Sequence, residues 1–216
     1  MNWQEWRTAP IVLCSVAILL SNVLFSAADE SNVDLQQVVV KTSDALLEHG
    51  RDRWGPVQSH MIISMLDRHT LKPCKKLPKG AWGVRNSDRT TIYGSNVNMQ
   101  QNLFRTFYLL SRITRDSKYG DAADAALLDF VHKTQVPATG LLAWGEHLCW
   151  DLQQDQAATM AQKLIHEPKK PLVFWDFLYE HEPRRTLAYA TGIWKHQIAD
   201  HESGNFSRHA RYDQHG

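Results

Sequence analysis

Apolar residues recur at steps of three and four over Met99, Leu103, Phe107, Leu110 and Ile113, and again over Tyr119, Ala123, Leu127 and Phe130. Only the polar turn Thr114-Arg115-Asp116-Ser117 separates the two stripes. The spacing predicts two amphipathic helices, each with one face to bury. A turn this short obliges them to lie antiparallel as an αα-hairpin, since both faces must reach the same core.

The same pattern extends on both sides. Leu35, Val38, Val39, Ala45 and Leu46 predict a helix that Gly50 stops. Downstream, "PLVFWDFLYEHE" runs into Pro183, a residue suited to the first position of a helix, and Leu187, Ala190, Trp194 and Ile198 continue at helical spacing. Trp175 and Trp194 are expected in the core on that spacing. Sliding the chain so that Thr139-Gly140 falls on Ser203-Gly204 also places Phe130 on Trp194 and Ala126 on Ala190. A two-helix unit repeated at long period predicts an all-α fold, antiparallel helix hairpins forming part of an (α/α) toroid or solenoid. The loops after Gly50, Gly140 and Gly204 then converge on one face.

At the N-terminus a short polar head precedes the apolar run Ile11 to Phe25 and the small residues Ser26-Ala27-Ala28. That order predicts a secretory signal over residues 1–28, cleaved near Ala28, and a mature domain over 29–216, secreted or periplasmic. No second apolar run of membrane length follows, so no membrane partner is expected after cleavage. A net charge of +1 without a basic run gives no reason to expect nucleic acid. Cys74 and Cys149 are the cysteines of the mature chain, and their pairing is left open.

The three loops carry the chemistry. "RDRWGPVQSH" holds Trp54 and His60, "TGLLAWGEHLCWDL" holds Trp144, Glu146, His147 and Trp150, and "SGNFSRHARYD" holds Asn205, Arg208, His209, Arg211, Tyr212 and Asp213. Indole rings stack on the apolar faces of sugars while planar polar groups bond their hydroxyls, so a glycan is the expected partner. Trp82, in the linker ahead of the hairpin, fits the same role. Glycoside hydrolysis needs two carboxyl groups across the scissile bond, for which Glu146 and Asp213, from different loops, are the candidates. Lyase chemistry on a uronate needs a cation or amide against the sugar carboxylate and a base, for which His209 or Tyr212 with Asn205 and Arg208 are the candidates. Trp54, His60, Trp144, His147, Trp150 and Arg211 complete the expected binding surface. The histidines show neither structural-zinc nor zinc-peptidase spacing, and no phosphate loop or dinucleotide fingerprint is present. No metal or cofactor is therefore expected.

The helix hairpins, with the two loaded loops at their ends behind a signal peptide, and the stretches "WGPVQSH" and "FWDFLYEHEP", resemble the six-hairpin glycosidase superfamily of (α/α)6 toroids in secreted bacterial form. That resemblance implies a carbohydrate-active enzyme: a glycoside hydrolase first, a polysaccharide lyase or a non-catalytic glycan-binding scaffold as alternatives. A closed ring needs about a dozen helices, more than this chain supplies, so the resemblance covers the N-terminal part of such a domain. Open apolar helix faces would then favour self-association.

Overall fold

The computed structural model describes residues 34–76, 91–159, 164–168, 170–207 and 209–214. The signal segment 1–28, Trp82 and Arg208 lie outside the described residues.

Five helices are described: α1 (Leu35–His49), α2 (Val97–Thr114), α3 (Lys118–Thr134), α4 (Trp175–His181) and α5 (Pro183–Gln197). The central hairpin forms, although of the expected α2 stripe only Phe107 and Leu110 are buried, Leu103 is half-buried, and Met99 and Ile113 are exposed. Asn96 caps α2 by accepting from the Met99 amide, and Arg115 ends it in a left-handed conformation, φ 60°. The Tyr119, Ala123, Leu127 and Phe130 stripe of α3 is buried, facing Phe104, Phe107 and Tyr108 of α2 in one core. On α5, Pro183 occupies the first turn as expected.

The all-α expectation is corrected by seven short strands: β1 (Gly94–Ser95), β2 (Leu148–Asp151), β3 (Gln156–Thr159), β4 (Ile165–His166), β5 (Ile198–Asp200), β6 (Asn205–Phe206) and β7 (Ala210–Arg211). They pair antiparallel as β1-β2-β3, β4-β7 and β5-β6, giving a mixed α/β fold in place of a helical toroid. Strands of two to four residues are too short for an alternating pattern to register, so they hide inside stretches that read as loops. The glycine register misled in the same way. Gly140 and Gly204 do share φ 71°, but Gly140 lies well past the end of α3, and Gly204 turns the β5-β6 hairpin. Gly50 alone of the three caps a helix, its amide bonding to the Leu46 carbonyl.

Large apolar side chains remain open on α1 (Leu35, Val38), α2 (Ile113) and α5 (Leu187, Trp194). Trp194, expected in the core, is 56% exposed. Cys149 is buried and Cys74 half-buried, and the two are not joined in a disulfide.

Candidate active site

A central strand gathers distant segments. β4 pairs with β7, with His166 opposite Ala210 and Ile165 opposite Arg211, and the residue that follows, Glu167, bridges in parallel to Gly145. The Glu146 amide donates to the Glu167 carbonyl at 2.9 Å. So close an approach requires glycine at 145, where φ is 132° and a Cβ would meet the Glu167 carbonyl oxygen at 2.5 Å. Asn96 fixes the other edge of this loop, its Nδ2 donating to the carbonyls of Gly145 at 2.7 Å and Leu148 at 3.0 Å.

Four ionisable side chains meet there. Glu167 Oε2 lies 3.3 Å from His209 Nε2 and 3.8 Å from His147 Nε2, and Glu146 Oε2 lies 3.7 Å from His147 Nε2. The two carboxylates are buried and the two imidazoles reach the surface, His209 the more openly. Burying two carboxylates together is costly unless positive charge sits with them. The ligand atoms of Glu146, His147 and Glu167 lie within 4.8 Å of one another. Donors held ~2.0–2.2 Å from one ion lie roughly 3–3.5 Å apart at common coordination angles; the separations of 3.3, 3.7 and 3.8 Å here run up to a few tenths wider, so the side chains would draw in around an ion. Two imidazole nitrogens with carboxylate oxygens suit a divalent transition ion better than calcium, which prefers oxygen throughout.

Behind the cluster, His166 points the other way into the core. Its Nε2 accepts from Trp144 Nε1 at 2.9 Å, which leaves the ring proton on Nδ1. Burial holds its pKa down at about 3, so it is neutral at ordinary pH. Gln197 Nε2 donates to the His166 carbonyl at 3.3 Å, tying α5 to the same strand.

Of the expected site residues, Glu146, His147 and His209 come together. Glu167, the residue on which they converge, escaped the sequence reading because "IHEP" carries no periodicity or ligand spacing. Its signal is a His-Glu-Pro triplet after the apolar pair Leu164-Ile165, which is weak. Trp144 is fully buried, stacked on Phe130 with centroids 5.6 Å apart, and serves the core rather than a sugar-facing wall. Tyr212 is also interior: its hydroxyl donates to the Thr134 carbonyl at 2.5 Å, and burial pushes its pKa up. Arg211 and Asp213 form a bidentate pair at 3.0 and 3.1 Å. On the loop after α1, His60 Nδ1 lies 2.8 Å from Oδ2 of Asp129 in α3. Half-buried Trp54 packs on Tyr93, half-buried Trp150 lies in β2, and Asn205 is exposed in β6.

Residues 74–216 match the family described as periplasmic pectate lyase. The chain belongs to that family. It is also similar to a pectate disaccharide-lyase of Dickeya dadantii (strain 3937), 28% identical over 119 residues, a match covering 55% of this chain and 22% of the relative. The chain thus spans only part of that relative's length. Membership in a lyase family overturns the resemblance to six-hairpin glycosidases, and with it the support for hydrolysis as the first reading. The exported location expected from the N-terminal segment agrees with a periplasmic family, and among the described residues no helix is long and apolar enough to cross a membrane.

Proposed function

We propose that this chain carries the reaction centre of a polysaccharide lyase that cleaves pectate, a polymer of galacturonate, by β-elimination with the help of a divalent cation. The observation that carries this reading is the convergence of His147 Nε2 and His209 Nε2 on Glu167 Oε2, with Glu146 beside them. Membership in the pectate lyase family and the name of the Dickeya relative supply the substrate class.

The chemistry follows from the substrate. In β-elimination a base removes the C5 proton beside the uronate carboxyl group, the C4–O bond breaks with its electron pair leaving on the departing sugar, and a C4=C5 double bond forms. No water is consumed. A cation bound at the cluster would set positive charge against the sugar carboxylate and make the C5 proton more acidic. His147, Glu167 and His209 are the proposed ligands, with Glu146 as a fourth donor or as the charge behind His147. Arg208, next to His209 in sequence, is proposed to meet the acidic groups of the chain. Tyr212 is a poor base, since its hydroxyl is committed to Thr134 inside the core.

The test is to incubate the full chain with polygalacturonate while following the ultraviolet absorbance of unsaturated uronate, first in excess chelator and then with divalent transition ions restored. The reading expects absorbance to rise only in the restored sample. New reducing ends without the chromophore would identify a hydrolase and overturn it.

A further inference from the structure

Beside the cluster, a cavity of about 330 Å³ opens between Pro168, Lys170, Pro171 and Leu172 on one side and Trp175, Tyr189, Ile193, Gln197 and Phe206 on the other. We propose that this cavity is a separate subsite for an acidic sugar residue of the same glycan, with Lys170 pairing its carboxylate and Phe206 offering a stacking face. The proposal rests on the polyuronate reading above and assigns a place to a sugar other than the one being cleaved.

Four observations carry it. The first is continuity: Pro168 follows Glu167 directly, and Phe206 stands three residues before His209, at most ~11 Å along an extended chain. A glycan threaded past the cluster therefore meets the cavity within the reach of a neighbouring sugar. The second is preorganisation. Asn98 and Gln101, both buried on α2, each reach this loop through their side-chain amides. Asn98 Nδ2 donates to the Lys170 carbonyl at 2.7 Å, Gln101 Nε2 donates to the Pro171 carbonyl at 3.1 Å, and Gln101 Oε1 accepts from the Val173 amide at 2.8 Å. Buried amides that clamp the backbone of an exposed loop fix the point from which the Lys170 side chain extends, which lowers part of the ordering cost of binding.

The third is the character of the lining. Trp175 stacks on Tyr189 with centroids 5.4 Å apart, and Phe206 is 54% exposed, so rings share the lining with proline and aliphatic residues and with two polar ones, Lys170 and Gln197. Apolar ring faces with a few placed polar groups are the usual composition of a small-ligand site, and this volume lies at the small end of the range for one. The fourth is charge: among the described residues, those lining the cavity include Lys170 and no aspartate or glutamate, which favours an acidic sugar over a neutral one.

The experiment measures the affinity of oligogalacturonates by calorimetry in excess chelator, so that no turnover intervenes, for wild type, Lys170→Ala, Phe206→Ala and the double variant. Fully methyl-esterified oligomers serve as the uncharged comparison. The proposal expects Lys170→Ala to weaken binding of the acidic oligomer roughly 2- to 5-fold in low salt, Phe206→Ala by about the same, and the double variant by ~10-fold. The Lys170→Ala effect should vanish with the esterified oligomer. Circular dichroism confirms that each variant folds, and Phe206→Leu, which keeps bulk but no aromatic face, separates stacking from packing. Wild-type affinity in all folded variants, or no binding of oligomer by wild type, overturns the subsite. Its fate is distinguishable from that of the catalytic reading, because Lys170-dependent binding by a protein that forms no unsaturated product would leave the subsite and remove the lyase.

Discussion

Asn96 and Gly145 grip each other through both backbone groups: Asn96 Nδ2 donates to the Gly145 carbonyl at 2.7 Å, and Asn96 Oδ1 faces the Gly145 amide at 3.4 Å. The same side chain caps α2 and reaches the Leu148 carbonyl, so one residue ties the start of the central hairpin to both ends of the loop bearing Glu146 and His147. Asn96→Asp keeps the capping oxygen but replaces the donor with an acceptor aimed at two carbonyls. We expect a loss of about 2–4 kcal/mol, read from the urea midpoint, with the helical signal retained at zero denaturant. A change within a few tenths would show that the clasp contributes little.

Gly145 and Gly204 make a matched pair, since both have positive φ but only Gly145 is crowded. A Cβ at 145 meets backbone atoms of Glu167 at 2.5, 2.7 and 2.9 Å, whereas one at 204 meets nothing within 4 Å. Gly204→Ala should cost only the conformational penalty of ~1–2 kcal/mol. Gly145→Ala must also move the strand that carries Glu167, so it is expected to cost more and to weaken divalent-ion binding at least ~10-fold in a calorimetric titration. Equal behaviour of the two variants would count against Glu167 being held by this contact.

Asp155 joins three segments, accepting from Lys133 Nζ at 2.5 Å and from the Val57 amide at 3.0 Å. Burial pushes its pKa up, but the bonds from Lys133 and Val57 outweigh that and leave it below the ordinary carboxylate value. A carboxylate depressed by folding contributes stability above its unfolded pKa of ~3.9 and loses that contribution as pH falls through the folded value. Asp155→Asn, at a left-handed position that asparagine tolerates, should therefore be less stable than wild type at pH 7. Denaturant titrations should show the gap closing toward pH 3. A gap independent of pH would mean that the charge is not the stabilising feature.

Trp144→Phe tests the core assignment of a residue that its sequence context presents as a sugar platform. The indole N–H is shared between His166 Nε2 at 2.9 Å and Tyr189 Oη at 3.1 Å, both buried. Removing it leaves His166 Nε2 without its donor and should cost ~1–3 kcal/mol in thermal or chemical unfolding. Glycan affinity per folded molecule should stay unchanged, and a selective loss of affinity would return Trp144 to the binding surface.

The parts of the molecule that could be read from the sequence are those whose signal is local. The α2-α3 hairpin shows itself because buried Phe107, Tyr119, Leu127 and Phe130 recur at the helical period, and Pro183 marks a helix start by its own geometry. The loops rich in Glu146, His147 and His209 also stand out by composition. What joins them does not: β4 has two residues, and its pairing with β7 and the bridge from Glu167 to Gly145 are contacts between positions far apart in the chain. Trp144 and Tyr212 show the opposite error, since residue type suggested a sugar platform for the first and a base for the second where long-range packing had placed both inside.

In the proposed reaction, His147, Glu167 and His209 hold a divalent ion on which elimination depends. The most direct test is the rate of unsaturated-uronate formation from polygalacturonate, per folded molecule, as chelator-stripped protein is titrated with a divalent transition ion, for wild type and His209→Gln. Losing a ligand that fixes the reacting geometry should cost on the order of 10²-fold or more, with melting behaviour nearly unchanged. The account predicts no rate in stripped wild type, recovery that saturates with added ion, and little recovery in His209→Gln at the same ion concentration. Full turnover by stripped wild type, or recovery of His209→Gln to the wild-type rate at the wild-type ion concentration, would contradict it.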